Sequence, residues 1–90
     1  MHKASYLGHT EIVKLLIESG ADVNRANNKY GITPLYLASR KGHTETVKLL
    51  IKKGADVNKA AKDGKNPLHC AVFQGNTEIV ELLVAAGAKA

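Results

Sequence analysis

Apolar residues recur at helical spacing in three segments of the chain, and each segment is bounded by glycines. The first segment is GHTEIVKLLIESGADVN, in which Ile12, Leu15 and Leu16 form one apolar stripe. Val13 and Ile17 form a second stripe that shares Leu16. A helix that is apolar on two sides must be covered on two sides. The pattern therefore predicts helices that stack in layers.

The same segment returns at a fixed period. GHTETVKLLIKKGADVN is identical to the first copy at 14 of 17 positions, and the third copy, GNTEIVELLVAAGAKA, at 9 of 16. The spacing is 34 residues from Gly8 to Gly42 and 33 from Gly42 to Gly75. The extra residue lies in RANNKYG, so we expect this stretch to be an exposed loop. Near-identical units at such a period predict an array of stacked repeats.

Glycine and proline divide each unit into two helices. Pro34 and Pro67 each open a short apolar segment, as proline does at the first position of a helix. Glycines follow both the short and the long segments, where helix ends require a positive φ. The predicted short helices are about 2–7, 35–41 and 68–74, and the longer ones about 11–19, 45–53 and 78–86.

The stretch GITPLYLASRKGHTETVKLLIKKGADVN resembles an ankyrin repeat, with the pattern G-x-T-P-L-H-x-A-A, then G-H-x-E-I-V-x-L-L and G-A-D-V-N. The resemblance covers essentially all 90 residues. It implies one all-α domain, an ankyrin solenoid of stacked helix-turn-helix pairs with β-hairpin-like loops. The expected repeats are about 1–30, 31–63 and 64–90. The outer ones are incomplete, as in a slice of a longer array or a protein whose open ends associate.

Two departures from the family pattern affect the same hydrogen bond. The second repeat keeps Thr33 but has Tyr36 where the family has histidine, and the third keeps His69 but has Asn66 where the family has threonine. We expect neither repeat to form the threonine–histidine hydrogen bond that is usual in the family. The expected cost is about 0.5–1.5 kcal/mol in each repeat.

Composition and charge narrow the class of protein. There is no apolar run long enough to span a membrane and no signal-peptide core, and the single cysteine fits a reducing compartment. We therefore expect an intracellular protein of the cytoplasm or nucleus, without membrane insertion. Residues 25–65 hold ten of the 13 Lys and Arg residues and three of the eight acids, a net charge of +7. This charge favours a partner with an acidic surface.

The residues that could carry chemistry follow the repeat and are better explained by the scaffold. His9 and His43 share one position in successive repeats, about 10 Å apart, which is too far to bind one metal ion. Cys70 takes the position of apolar Leu37, so we interpret it as a core side chain rather than a nucleophile. The aspartates of the two GADVN turns are expected to bind backbone N–H groups. We expect no catalytic residues, no metal, no cofactor and no enzymatic activity.

The resemblance also implies a modification. Asn24 and Asn58 occupy the ankyrin asparagine that an intracellular asparaginyl hydroxylase can modify, and Leu16 and Leu50 lie eight residues upstream of them, as in favourable sites. Ordinary hydrogen bonding within the turn is the interpretation we favour for both asparagines.

With no chemistry expected, function should reside in exposed residues that differ between repeats. In ankyrin proteins such residues lie on the short helices and loop tips, which form a concave groove for other proteins. The matching positions here are Tyr6, Leu7, Arg25, Lys29, Tyr30, Ile32, Arg40, Lys41, Lys59, Lys62, Asp63, Lys65, Phe73 and Gln74. Tyrosine and arginine are enriched among the residues that dominate binding energy.

Three functions remain open at this point. The leading hypothesis is a protein-binding module, with an interface of at most about 800 Å² per side. An engineered or excised structural scaffold with no natural ligand is the alternative, which the near-identity of two repeats would suit. Nucleic-acid binding through the basic segment is a weaker hypothesis, because no helix-turn-helix register, zinc ligand set or RNA-recognition sheet is present. Either a monomer or weak end-to-end self-association is expected.

Overall fold

A computed structural model describes residues 1–89, which contain six α-helices and no strand. The helices are α1 (His2–Leu7), α2 (Thr10–Glu18), α3 (Pro34–Lys41), α4 (Thr44–Lys52), α5 (Pro67–Gln74) and α6 (Thr77–Ala85). All six predicted helices are confirmed. In all but α1, each observed helix begins one residue earlier than predicted. No helix within residues 1–89 has the length and apolarity that crossing a membrane requires.

The helices form two rows. The short helices α1, α3 and α5 pack side by side in one row, and α2, α4 and α6 form a second row against them. One continuous core runs between the rows through all three layers, and its buried residues are Val13, Leu35, Ala38, Val47, Leu50, Val57, Leu68, Ala71, Ile79 and Leu83. The nearly identical segments therefore lie next to each other as α2 and α4. Stacking, the expectation from the sequence, is confirmed.

Specific contacts join the first and second layers. The imidazole of His43 lies over Gly8, and its Nε2 donates a hydrogen bond of 2.9 Å to the carbonyl oxygen of Tyr6. The hydroxyl oxygens of Thr10 and Thr46 are 2.8 Å apart. These polar contacts fix the register between the layers, because a slip of one residue would leave each group without its partner.

Helix capping corrects the expected loss of hydrogen bonds. In the second repeat the hydroxyl of Thr33 accepts a hydrogen bond from the backbone N–H of Tyr36. In the third, the side-chain oxygen of Asn66 accepts from the backbone N–H of His69, and the Nδ1 of His69 accepts from the backbone N–H of Asn66. Asparagine thus replaces threonine in a reciprocal capping box. The expected cost for the third repeat was wrong.

The connecting loops are hairpin-like without being regular strands. The backbone N–H of Ala61 donates to the carbonyl of Lys65, and the N–H of Asn27 donates to the carbonyl of Ile32. The two neighbouring loops are joined where the backbone N–H of Lys62 donates to the carbonyl of Tyr30 at 2.8 Å. The loops therefore extend the layered stack beyond the helices.

The apolar stripe of α2 that contains Ile12 and Leu15 is not covered within residues 1–89. Ile12 is 49% exposed and Leu15 is 60% exposed, whereas the equivalent Thr46 in the second repeat is buried against the first. Val84 on α6, at the opposite end, is 54% exposed. Each end of the stack thus presents a surface that serves as a layer contact elsewhere in the chain.

Candidate functional site

The groups that could support catalysis are engaged in structural roles. Burial raises the pKa of the Cys70 thiol, which keeps it neutral and therefore a poor nucleophile. The adjacent His69 cannot serve as its base through Nδ1, because that atom accepts the N–H of Asn66. Residues 1–89 contain no group of three His, Cys, Asp or Glu side chains that could hold a metal ion.

The aspartates of the two GADVN turns bind backbone, as expected. Asp22 Oδ1 accepts the N–H of Asn24 at 2.9 Å, and Asp56 Oδ1 accepts the N–H of Asn58 at the same distance. Both carboxylates therefore cap their own turns and do not form an acid–base pair.

Asn24 and Asn58, which occupy the same position in successive repeats, join adjacent layers through the oxygen and the nitrogen of their amides. Asn24 donates to the carbonyl of Gly54 and accepts the N–H of Asp56 at 2.6 Å. Asn58 donates to the carbonyl of Gly87 and accepts the N–H of Lys89 at 2.8 Å. This agrees with a hydrogen-bonding role in the turns. Hydroxylation of either asparagine stays a prediction.

Thirteen of the fourteen predicted partner-binding residues are exposed. The exception is Ile32, which was expected at an exposed loop tip. It is only 9% exposed and belongs to a small core with Tyr36, Ala61 and Cys70. The carbonyl of Ile32 also accepts a hydrogen bond from the imidazole of His2. Ile32 therefore supports the loop from below and is not the exposed loop-tip residue that was expected.

Part of the predicted set surrounds a cavity of about 660 Å³ between α3, α5 and the second loop. Its lining includes three buried residues, Tyr36, Leu68 and Cys70, each less than 10% exposed. The exposed Arg40 and Phe73 also line it, and Phe73 is 88% exposed. We call this cavity the Phe73 hollow. Its exposed arginine and phenyl ring beside an apolar floor suit an amphipathic ligand.

A second cavity of about 780 Å³ adjoins the first, and we call it the Tyr30 hollow. Tyr30 and Lys62, on the tips of the two loops, line this hollow together with Leu37. The two hollows share Tyr36, Arg40 and Asp63, so these three residues form the boundary between them. Arg40 lies on α3 and Asp63 in the loop between α4 and α5, so this loop approaches α3 at the boundary.

Arg40 is the unpaired charge at this boundary. Within residues 1–89 its guanidinium forms no hydrogen bond or ion pair, and the side chain is exposed. Burial raises the pKa of the neighbouring Tyr36 to about 12, with the Cys70 thiol adding to the shift and the charge of Arg40 opposing it. The Tyr36 hydroxyl is therefore neutral at physiological pH and supplies no negative charge to pair with Arg40.

Six predicted residues line neither hollow, namely Tyr6, Leu7, Arg25, Lys29, Lys41 and Lys59. Lys41 Nζ lies 4.8 Å from the centre of the Tyr6 ring, in a cation–π contact, and Leu7 beside them is 47% exposed. Lys59 Nζ donates to the carbonyl of Asn24, which couples it to the loop that carries Arg25. Lys29 Nζ lies 5.3 Å from the centre of the Tyr30 ring. Lys65 and Gln74 belong to the lining of the Phe73 hollow.

Sequence reasoning missed the floor of the Phe73 hollow. The missed lining residues are Tyr36, Leu68, His69, Cys70 and Val72. One signal was present, because His69 and Phe73 stand four residues apart on α5, as do Tyr36 and Arg40 on α3. Residues at this spacing share a helix face, so the variable Phe73 and Arg40 indicate where His69 and Tyr36 point.

Comparison with known proteins now identifies this architecture. A family model described as ankyrin repeats (3 copies) matches residues 1–90. The chain belongs to the ankyrin repeat family. Ankyrin repeats are generally protein–protein interaction modules and are typically non-enzymatic. The candidate residues lie on the row of short helices and on the connecting loops of this ankyrin array.

Individual ankyrin proteins match part of the chain. "Ankyrin repeat and SOCS box protein 3" from Bos taurus is 46% identical over 40 residues, which is 44% of this chain and 7% of that protein. The "NF-kappa-B inhibitor cactus" of Drosophila yakuba and that of Drosophila melanogaster are each 42% identical over 38 residues. Those matches cover 42% of this chain and 8% of either cactus protein. The similarity to each relative thus extends over about one repeat.

Proposed function

We propose that this ankyrin repeat protein binds another protein through the surface formed by α1, α3, α5 and the two loops. The observation that carries the proposal is that recurring side chains and variable side chains occupy different places in the fold. Side chains that recur in the repeats, such as Val13 and Val47, form the core, whereas Tyr6, Arg40 and Phe73 share one repeat position, differ in every repeat and are exposed. Stacking does not require them, so a partner is the best reason for their exposure.

The basic middle of the chain supports a partner with an acidic surface. Residues 25–65 carry a net charge of +7. Exposed cations from this segment border both hollows, namely Arg40, Lys62 and Lys65. Because exposed charges mainly accelerate encounter, the association rate should fall as salt concentration rises.

A triple variant tests the proposal. The binding partner is first identified by affinity capture and mass spectrometry with the wild-type protein. Replacing Tyr6, Arg40 and Phe73 together with alanine should then weaken binding to that partner by at least about tenfold, because exposed aromatic and arginine side chains dominate such interfaces. Isothermal titration calorimetry measures the change, and circular dichroism verifies that the fold is retained.

A matched control removes three exposed lysines from the row of long helices, Lys14, Lys48 and Lys52. This variant should bind the partner as the wild type does. Equal affinity of the Tyr6, Arg40 and Phe73 variant and the wild type would contradict the proposed surface. The alternative is a structural scaffold with no natural ligand. It predicts that affinity capture with the wild type and with the Tyr6, Arg40 and Phe73 variant retains the same proteins.

We also propose weak end-to-end self-association of the chain. Ile12 and Leu15 form an exposed stripe on α2, whereas the corresponding side of α4 is covered by the first repeat. At the other end of the stack Val84 is exposed. A heterologous contact between copies would reuse the layer interface that already occurs twice. In light scattering, the average mass should rise above 9.6 kDa with increasing concentration.

The control for self-association replaces both Ile12 and Leu15 with glutamate. These side chains are exposed, so the fold should be kept while the mass stays at 9.6 kDa across the concentration series. A wild-type mass that does not change with concentration would count against the association.

A further inference from the structure

The two hollows and the arginine at their boundary define a kind of partner more narrowly than an acidic protein. We propose that the bound segment places two large apolar side chains, one in each hollow, on either side of a carboxylate that pairs with Arg40. This inference rests on the proposed function, because it assumes that the inner surface is where the partner binds. It adds a recognition pattern, apolar–acidic–apolar, within a single stretch of the partner chain.

The size and lining of the hollows support the apolar part of the pattern. Volumes of about 660 and 780 Å³ lie within the range of about 300–1,000 Å³ that is typical of ligand sites. Leu68 and Cys70 in one hollow, and Ile32 and Leu37 in the other, supply apolar contacts that polar side chains would not use. A large apolar side chain gains from leaving water in either hollow.

The geometry of the boundary supports the continuity of the segment. Tyr36, Arg40 and Asp63 line both hollows, so there is no intervening surface between the two. A segment with a side chain in each hollow must pass over this boundary. The residue between its two apolar side chains is therefore the one that meets Arg40.

The charges at the boundary support the carboxylate. Arg40 has no hydrogen-bond or ion-pair partner within the described chain, and an arginine–carboxylate pair can be bidentate. Lys62 is less available, because its Nζ already donates to the carbonyl of Asn28 at 2.7 Å. The carboxylate of Asp63 repels a carboxylate from the partner. Its Oδ1 also accepts a hydrogen bond from the backbone N–H of Lys65. The inference therefore predicts opposite effects for removing the charges of Arg40 and Asp63.

Terminally blocked five-residue peptides test the pattern in an NMR titration of the ¹⁵N-labelled full chain. In the first peptide a central glutamate lies between a leucine on one side and a phenylalanine on the other. In the second, glutamine replaces the glutamate, and in the third, alanine replaces both apolar residues. We expect the first peptide to shift the amide signals of Tyr36, Arg40 and Phe73, and the other two to bind about tenfold more weakly.

Variants of the protein assign the preference to Arg40. Arg40→Gln should make the glutamate and glutamine peptides bind alike, and Asp63→Asn should strengthen binding of the glutamate peptide several-fold. Asparagine can still accept the N–H of Lys65, so the loop should keep its conformation. The control is Lys52→Gln, which removes an exposed positive charge of α4 that lies away from the hollows. It should leave the preference for the glutamate peptide unchanged.

Three results would overturn the inference. The first is equal binding of the glutamate and glutamine peptides to the wild type, and the second is a set of shifts confined to α2, α4 and α6. The third is N-acetylphenylalanine binding as tightly as the full peptide, which would indicate a small-molecule site. The proposed function has a separate test, because unchanged partner binding by the Tyr6, Arg40 and Phe73 variant would refute it whatever the peptides do.

Discussion

Replacing Leu50 with alanine lowers the free energy of unfolding by about 2–5 kcal/mol. Leu50 is fully buried on α4, in the core that runs through all three layers. Truncation leaves a cavity that its neighbours cannot fill without disturbing the adjacent layers. A domain of this size has a total stability of about 5–15 kcal/mol, so a large part of it would be lost. Urea denaturation followed by circular dichroism measures the change.

Leu15→Ala is the matched control for this prediction. The side chain changes in the same way, but Leu15 on α2 is 60% exposed. Its expected effect is within about 0.5 kcal/mol at a protein concentration low enough to keep the chain monomeric. Similar losses for the two variants would mean that the core does not lie between the two rows of helices.

Replacing Gly8 with alanine should cost about 2–3 kcal/mol, the second large effect. The φ angle of Gly8 is 75°, a left-handed conformation that costs an L-residue about 1–2 kcal/mol. A Cβ at this position would also lie 2.7–2.9 Å from three ring atoms of His43. The imidazole must then move and lose its hydrogen bond to the Tyr6 carbonyl, which contributes about 1 kcal/mol. Thermal and urea unfolding both report the loss.

Two controls separate the backbone cost from the contact between layers. Gly75 has a φ of 70° and open space around a Cβ, so Gly75→Ala should show only the backbone cost. In a His43→Ala background, Gly8→Ala should lose its additional cost and resemble Gly75→Ala. If Gly8→Ala and Gly75→Ala are equally destabilising in the wild-type background, the first and second layers are not joined as described.

The fold could be predicted because the sequence pattern that specifies one layer recurs in three repeats. Repetition of the apolar pattern and of the glycines indicated the six helices and their stacking, independently of any single residue. Helices α3 and α5 begin one residue earlier than predicted because Thr33 and Asn66 are their N-cap residues, which places Pro34 and Pro67 inside the helices. Periodicity locates the apolar face of a helix, but the cap side chain determines where the helix begins.

The candidate site could be predicted only in part, because its depth depends on contacts between repeats. Exposed positions such as Arg40 and Phe73 followed from their variation at one repeat position. Burial of Ile32 did not, since it depends on packing against Ala61 in the second loop and Cys70 in the next repeat. The capping box of Asn66 differs from the family pattern in its side chain but not in its hydrogen bonds, because asparagine caps a helix as well as threonine does.

The most direct test of the stacked architecture is a ¹³C-edited NOESY experiment on the labelled protein. The side chains of Thr10 and Thr46 have their hydroxyl oxygens 2.8 Å apart, and Val13 and Val47 share one core. We predict NOE cross-peaks between the γ-methyl groups of the two threonines, which belong to successive layers. NOEs confined to pairs of residues within the same repeat would contradict a stack in which α2 lies against α4.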